Sequence, residues 1–175
     1  MLLQSLLLLS GLLPSLACST VPAAPTSDPH ARFDAGDPIE FRFPPTDSDV
    51  VSSETTRGRA TALLFITTYD MASQVVVKRL GEVLVRFTPR ANAAAVVLEP
   101  PAHAELLPAY KEALGLPYPV VMADFVTQQR QGPFGDIENV PTLVVLDRSG
   151  REVWRHQGPC EARDIEAALE RASRR

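Results

Sequence analysis

The stretch from Ala60 to Leu80, ATALLFITTYDMASQVVVKRL, constrains the fold more than any other part of the chain. Thr61–Thr67 is a β-branched and aromatic run without a charge, suited to a strand buried on both faces. After Thr68 the period changes. Val76, Leu80, Val83, Leu84 and Phe87 fall on one face of a helix, and Asp70 or Ser73 is available as its cap. A central strand that empties into a helix N-terminus predicts an α/β domain, and such folds usually place their chemistry at that junction.

The rest of the chain builds around this unit. Ile39-Glu40-Phe41-Arg42-Phe43 alternates apolar with charged, which predicts a half-buried strand ended by Pro44-Pro45. Asp47–Ser53 supplies a turn and a short return strand, and Arg57-Gly58-Arg59 turns the chain into the central strand. Ala93–Leu98 is short and wholly apolar, as a parallel interior strand should be. Pro100-Pro101 opens a helix that runs to Leu114, where Gly115 stops it. Tyr118–Ala123 is a short strand or an extended connection. Thr142–Leu146 reads as a strand, Asp147-Arg148-Ser149-Gly150 as a hairpin turn and Glu152–His156 as its partner, before an amphipathic helix over Asp164–Ala172. The order hairpin, β, α, β, α, β, β, α predicts a central mixed β-sheet with helices on both faces.

Composition separates the domain from its leader. The chain has 175 residues, 45% of them hydrophobic, which is enough for one domain with a real core. A formal charge of −4 gives no electrostatic reason to bind phosphates, so nothing suggests nucleic acid; the basic residues are scattered apart from the short tail Arg171, Arg174, Arg175, which reads as a solvated helix end. Residues 1–17 carry no charge, are dominated by leucine and are broken by Gly11 and Pro14, which reads as a secretory signal and not a membrane span. Ser19–Arg32 is rich in Pro, Ala, Ser and Thr, a tether composition. His30 within it has no second metal ligand nearby. The domain therefore occupies residues 33–175, behind an 18–32 tether and a 1–17 signal peptide. Ser15-Leu16-Ala17-Cys18 resembles the lipobox of bacterial lipoproteins. That resemblance implies a lipid on Cys18 and a domain anchored in the bacterial cell envelope, facing the periplasm or the exterior. Plain cleavage after Ala17 is the alternative.

Three pieces of the domain carry a second resemblance. These are Gly36-Asp37-Pro38 through Arg57-Gly58-Arg59, the helix residue Leu80, and Val140-Pro141-Thr142-Leu143-Val144-Val145-Leu146-Asp147-Arg148-Ser149-Gly150. Together they resemble the thioredoxin fold, specifically the TlpA-like envelope thioredoxins, over Gly36 to Ala172. The resemblance implies a thioredoxin-like α/β fold with an N-terminal β-hairpin extension, and no cofactor. The family's Thr-Trp-Cys-x-x-Cys falls on Thr68-Tyr69-Asp70-Met71-Ala72-Ser73. Disulfide exchange needs one thiolate to attack and a second thiol to resolve the mixed disulfide, and neither Asp70 nor Ser73 can do either. No cysteine lies between Cys18 and Cys160, so no shift of alignment restores the motif. The buried acid of some thioredoxins falls near Leu64 and the family's helix proline at Lys78. The expectation is a redox-inactive centre.

The remaining candidates follow. Asp70 reads as a helix cap and Ser73 as a first-turn residue, since nothing in the sequence places His103 or His156 beside it as a base. By the resemblance, Tyr69 keeps an aromatic contact surface, the Val140–Pro141 bond is cis, and the Val140 backbone pairs with an extended segment of a partner. A cis-proline also shapes the start of a strand, so both readings of Pro141 stand. In this fold Gly158-Pro159-Cys160 lies at the same end of the sheet. Cys160 there is either a thiol activated at a helix N-terminus, a small semi-buried residue, or the partner of Cys18 in a disulfide. Asp124 and Asp136 are isolated acids, Gly132-Pro133-Phe134-Gly135 lacks the donors of a phosphate loop, and Trp154 reads as packing, so no metal or phosphate site is expected. The functional expectation is a binding or scaffolding domain that holds an extended segment of another envelope protein through Tyr69, Val140, Pro141 and Gly158. The alternative is a TlpA-type thiol-disulfide oxidoreductase acting through Cys160 alone. A third reading has the domain assist a larger envelope assembly with this surface idle.

Overall fold

A computed structural model describes residues 36–46 and 49–175. The expected signal and tether, with Cys18 and His30, lie outside the described residues. Five strands form one mixed sheet. They are β1 (Ala60–Ile66), β2 (Ala91–Val97), β3 (Val120–Met122), β4 (Thr142–Leu146) and β5 (Glu152–Gln157), in the order β3-β2-β1-β4-β5. β1, β2 and β3 run parallel, while β4 is antiparallel to β1, and β5 to β4. The C-terminal ends of β1, β2, β3 and β5 and the start of β4 therefore share one end of the sheet. The residues entering β1 and β2, with the β4–β5 turn, share the other.

β1 is buried along its whole length because both its faces are covered. Ala62, Leu64 and Ile66 face α2 (Met71–Phe87), α3 (Leu107–Leu114) and α5 (Ala162–Arg174), meeting Val76, Leu80, Leu107, Ile165 and Leu169. Gly81 lets α2 approach the chain before β3: a Cβ there would stand 3.3 Å from Pro117 Cδ. Beside it, the Tyr118 hydroxyl donates to the Val77 carbonyl at 2.6 Å.

The opposite face differs from the expectation of helices on both sides. Leu63 and Phe65 there meet Phe41, Phe43 and Val51 from the N-terminal segment and Phe134 and Ile137 from the loop before β4, with no long helix. The rings of Phe43 and Phe134 lie 6.3 and 5.2 Å from that of Phe65, so aromatic area replaces a helix as the cover. The N-terminal segment folds back on itself, with Phe43 N–H donating to Val51 O and Ser53 N–H to Phe41 O. Its pairing is limited to bridges, Arg42 with Ser52 and Thr46 with Asp49, because Pro44-Pro45 supplies no N–H to extend a ladder.

Two further differences are local. The helix expected from Pro101 to Leu114 begins as a 3-10 turn over Pro101–Leu106 and becomes α3 only at Leu107. Pro108 has no N–H to give the Ala104 carbonyl, which instead accepts from Leu107 N–H in the tighter i to i+3 pattern. Gly115, at φ +61, ends α3 as a left-handed cap. Two single turns, α1 (Ser53–Thr56) and α4 (Phe125–Gln128), carry too little periodicity to be read from sequence.

Candidate functional site

At one end of the sheet β1 leads into residues 68–73, the segment on which the resemblance sets the family's redox motif. β1 ends at Ile66 and the chain turns through Thr67, Thr68 and Tyr69 to Asp70, the N-cap of α2. The Asp70 carboxylate accepts Ser73 N–H at 2.6 Å. The Ser73 side chain beside it, then that N–H and the Ala72 N–H, outweigh slight burial and hold the Asp70 carboxyl below the ordinary carboxylate range. Ser73 itself is fully buried, so its hydroxyl presents no surface to a substrate. Replacing Asp70 with alanine is expected to lower stability by about 1 kcal/mol in urea unfolding, the usual worth of such a cap.

Glu99, two residues beyond β2, is the centre of the local polar network. Its side chain is 2% exposed, yet its pKa stays below the ordinary glutamate value. Burial pushes it up, but donation from Thr68 N–H, from His103 and from the Thr68 hydroxyl, with the attraction of His103, outweighs that push. The Thr68 hydroxyl and His103 Nδ1 both lie 2.7 Å from the carboxylate. A carboxylate can only accept, so Nδ1 carries the proton and Nε2 of the 44%-exposed His103 ring is left to face outward. Glu99 thereby ties the β1–α2 turn to the 3-10 turn. Tyr110 of α3 stands in the same field: its hydroxyl is buried with no hydrogen-bond partner among the described residues, and burial first, then the charges of Glu99 and Asp70, pushes its pKa up to about 12.

Across β1 lies the start of β4. The Val140–Pro141 peptide bond is cis, and Pro141 O accepts Gly158 N–H at 2.7 Å, with Gly158 at φ +92. The Thr142 hydroxyl donates to Asn139 O at 2.6 Å. Neither the N–H nor the carbonyl of Val140 makes a hydrogen bond with another described residue. At the same end of the sheet large apolar side chains face solvent: Tyr69 is 74% exposed and Met71 71%. Phe125, at the end of β3, is exposed as well.

Cys160 sits apart from this surface. It is 3% exposed, packed in the same core cluster as Val76 and Leu80, and its carbonyl accepts Arg79 Nη1 at 2.8 Å. Trp154 is buried and stacks on His156 with ring centroids 5.7 Å apart. Leu64 is fully buried in the core and Lys78 is exposed on α2. Asp124 caps α4 through Thr127 N–H, and Asp136 pairs with Arg130. Among the described residues no group of three His, Cys, Asp or Glu side chains could hold a metal ion.

Sequence reasoning did not find Glu99 or Tyr110, and it met His103 only as a base that nothing placed beside Ser73. The i, i+4 spacing of Glu99 and His103 is the one signal it carried, but Pro100-Pro101 between them hides whether the two share a face. Chemically, the pair can orient an imidazole and accept or give a proton. It lacks an accessible nucleophile, because the Thr68 hydroxyl is donated to Glu99 and Ser73 is covered.

No protein-family model and no curated protein matches the chain. Solved structures do match it. A thiol:disulfide interchange protein of the thioredoxin family from Chlorobium tepidum superposes with a TM-score of 0.69 at 20% identity, covering 80% of this chain and 97% of its own. A DsbF homologue from Corynebacterium diphtheriae gives 0.70 at 17% identity over 85% and 96%. StoA from Bacillus subtilis gives 0.60 at 17% identity over 74% and 96%. At such identity the likeness speaks for architecture. The chain has the thioredoxin fold, in the form taken by these thiol:disulfide interchange proteins, with no cysteine between Cys18 and Cys160.

Proposed function

We propose that this chain is an envelope-tethered thioredoxin-fold domain that does not exchange disulfides and instead binds an extended segment of another envelope protein. The observation that carries the reading is the unpaired N–H and carbonyl of Val140, next to the cis Pro141 and within a strand-end surface that also bears the exposed Tyr69. Backbone groups left unpaired at the half-buried Val140 can pair with an extended segment, which supplies main-chain hydrogen bonds while side chains such as the exposed Tyr69 add contact area. The Glu99 network supports the same reading, since it fixes the turn that presents Tyr69. The tether composition and the resemblance of Ser15-Leu16-Ala17-Cys18 to a lipobox support a domain anchored at a membrane, on its exported side. Exchange through Cys160 is the competing reading, and its burial weighs against it, because a covered sulfur must be uncovered before it can attack.

The test is site-specific photo-cross-linking in cells, with the probe at Tyr69 and, as control, at the exposed Val85 of α2. A discrete adduct is expected at Tyr69 and not at Val85. It should survive Val140→Ala and be lost in Val140→Pro, which removes the N–H. An adduct indifferent to Val140→Pro, or none at Tyr69, overturns the binding reading. In a dithiol-driven protein-disulfide reduction assay the chain and Cys160→Ser are both expected to run at the uncatalysed rate. A rate that vanishes in Cys160→Ser makes Cys160 the site instead.

A further inference from the structure

Four arginines line one cleft at the end of the sheet opposite Tyr69 and Val140. Arg59 leads into β1, Arg90 leads into β2, Arg148 stands in the β4–β5 turn and Arg174 lies in the last turn of α5. They line a cleft of about 610 Å³ in which Glu170 is the one lining carboxylate. That concentration of positive charge occurs in a chain whose formal charge is −4.

Two of these arginines, Arg148 and Arg90, are held in place without being neutralised. Arg148 Nε donates to Gly58 O at 3.2 Å while Gly58 N–H donates to Arg148 O at 2.8 Å. The Arg90 guanidinium lies 5.7 Å over the Phe87 ring and donates to Arg86 O at 3.3 Å. Carbonyls and a ring fix a guanidinium but leave its charge intact. Among the described residues no carboxylate pairs with Arg59, Arg90 or Arg148. Glu170 pairs with Arg174 at 3.4 Å, and both side chains are mostly exposed, so that pair neutralises little. Several planar forks brought together and left unpaired suit a ligand with phosphate oxygens, which accept bidentate hydrogen bonds and relieve the mutual repulsion. Phe87 and Pro89 give the cleft an apolar wall, which suits a phosphate carrying a hydrocarbon part.

Where the chain enters the domain indicates the source of that phosphate. Ile39 N–H donates to Gly150 O at 2.9 Å, and a Cβ on Gly150 would stand 4.0 Å from Pro38 Cβ. The chain from the N-terminus therefore reaches the domain at the β4–β5 turn, at the same end as the arginine cleft. With an anchor upstream, this is the end of the domain that the tether joins, and the Tyr69 and Val140 end lies away from that junction. We propose that the cleft is a binding site for the phosphate of an anionic lipid headgroup. The lipid as source rests on the reading that the chain is anchored at its N-terminus; the phosphate chemistry of the cleft does not.

The test uses the full chain in neutral detergent micelles doped with phosphatidylglycerol or with phosphatidylcholine, and free glycerol phosphate as a third ligand, each titrated calorimetrically. Phosphatidylglycerol is expected to bind at least about tenfold more tightly than the other two, and more weakly as salt rises. The double variant Arg59→Gln with Arg90→Gln should lose that preference. A control pair, Arg42→Gln with Arg163→Gln, removes the same charge elsewhere and should keep it. All four side chains are exposed, and melting curves check that both pairs fold. Equal binding of the two lipids, or an unchanged affinity in the double variant, overturns the site. Free glycerol phosphate binding as tightly as the doped micelle overturns the lipid as its source. Mass spectrometry of the mature N-terminus reads the anchor separately: an unmodified Cys18 with phosphatidylglycerol binding intact refutes the anchoring and spares the cleft.

Discussion

Replacing Glu99 with leucine is expected to destabilise the fold by about 2–4 kcal/mol in urea unfolding, because Thr68 N–H, the Thr68 hydroxyl and His103 Nδ1 lose their acceptor and leucine offers none. Glu99→Gln keeps one acceptor oxygen and should cost about half of that. The pH dependence separates the two effects. Glu99 has a folded pKa below its ordinary 4.5, so its contribution is complete above 4.5 and is lost as pH falls through the depressed folded value. The acid limb of stability should therefore be flatter in Glu99→Gln than in the parent. An acid limb of unchanged slope would mean that Glu99 is not the group holding the turn. The variants also bear on function. A turn released from Glu99 no longer presents Tyr69 in one place, so the Tyr69 cross-link should weaken in Glu99→Leu at temperatures where the domain is still folded.

The second large effect is expected at Phe43, which is 1% exposed and packs against Phe65 and Phe134. Phe43→Ala should cost about 3–5 kcal/mol, enough to lower the melting temperature by roughly 10 °C in a domain of this size. The reason is that one whole face of the sheet depends on these rings. A loss below about 1 kcal/mol would mean that residues 39–53 lie over the sheet without being seated in it. Phe43 takes no part in the Glu99 hydrogen bonds that fix the Thr68 turn, so cross-linking at Tyr69 should persist below the new melting temperature, in contrast to Glu99→Leu.

Much of the architecture was legible because its signals are local. The uncharged β-branched run into β1, the apolar face of α2 and Gly115 at the end of α3 each state their structure within a few residues. The hairpin turn is another such case. Asp147 accepts Ser149 N–H at 2.8 Å and Arg151 N–H at 3.0 Å, and Gly150 takes φ +87, which is what Asp-Arg-Ser-Gly spells. The cover of the second sheet face was not legible. Phe134 is far in sequence from Phe41 and Phe43, and nothing in their own neighbourhoods says that the three rings cluster with Phe65.

The candidate surfaces divide in the same way. From its residues alone the chain lacks a two-thiol centre between Cys18 and Cys160, and Asp70 stands where a helix needs a cap; both facts concern identity and near-neighbour chemistry. Only the tertiary structure decided that Cys160 is covered, that Val140 is left without backbone partners, and that Glu99 gathers donors from Thr68 and His103. It also decided that Arg59, Arg90, Arg148 and Arg174, scattered over more than a hundred residues of sequence, line one cleft. Exposure, electrostatic field and charge clustering are sums over neighbours in space, and strand order, not sequence order, determines those neighbours.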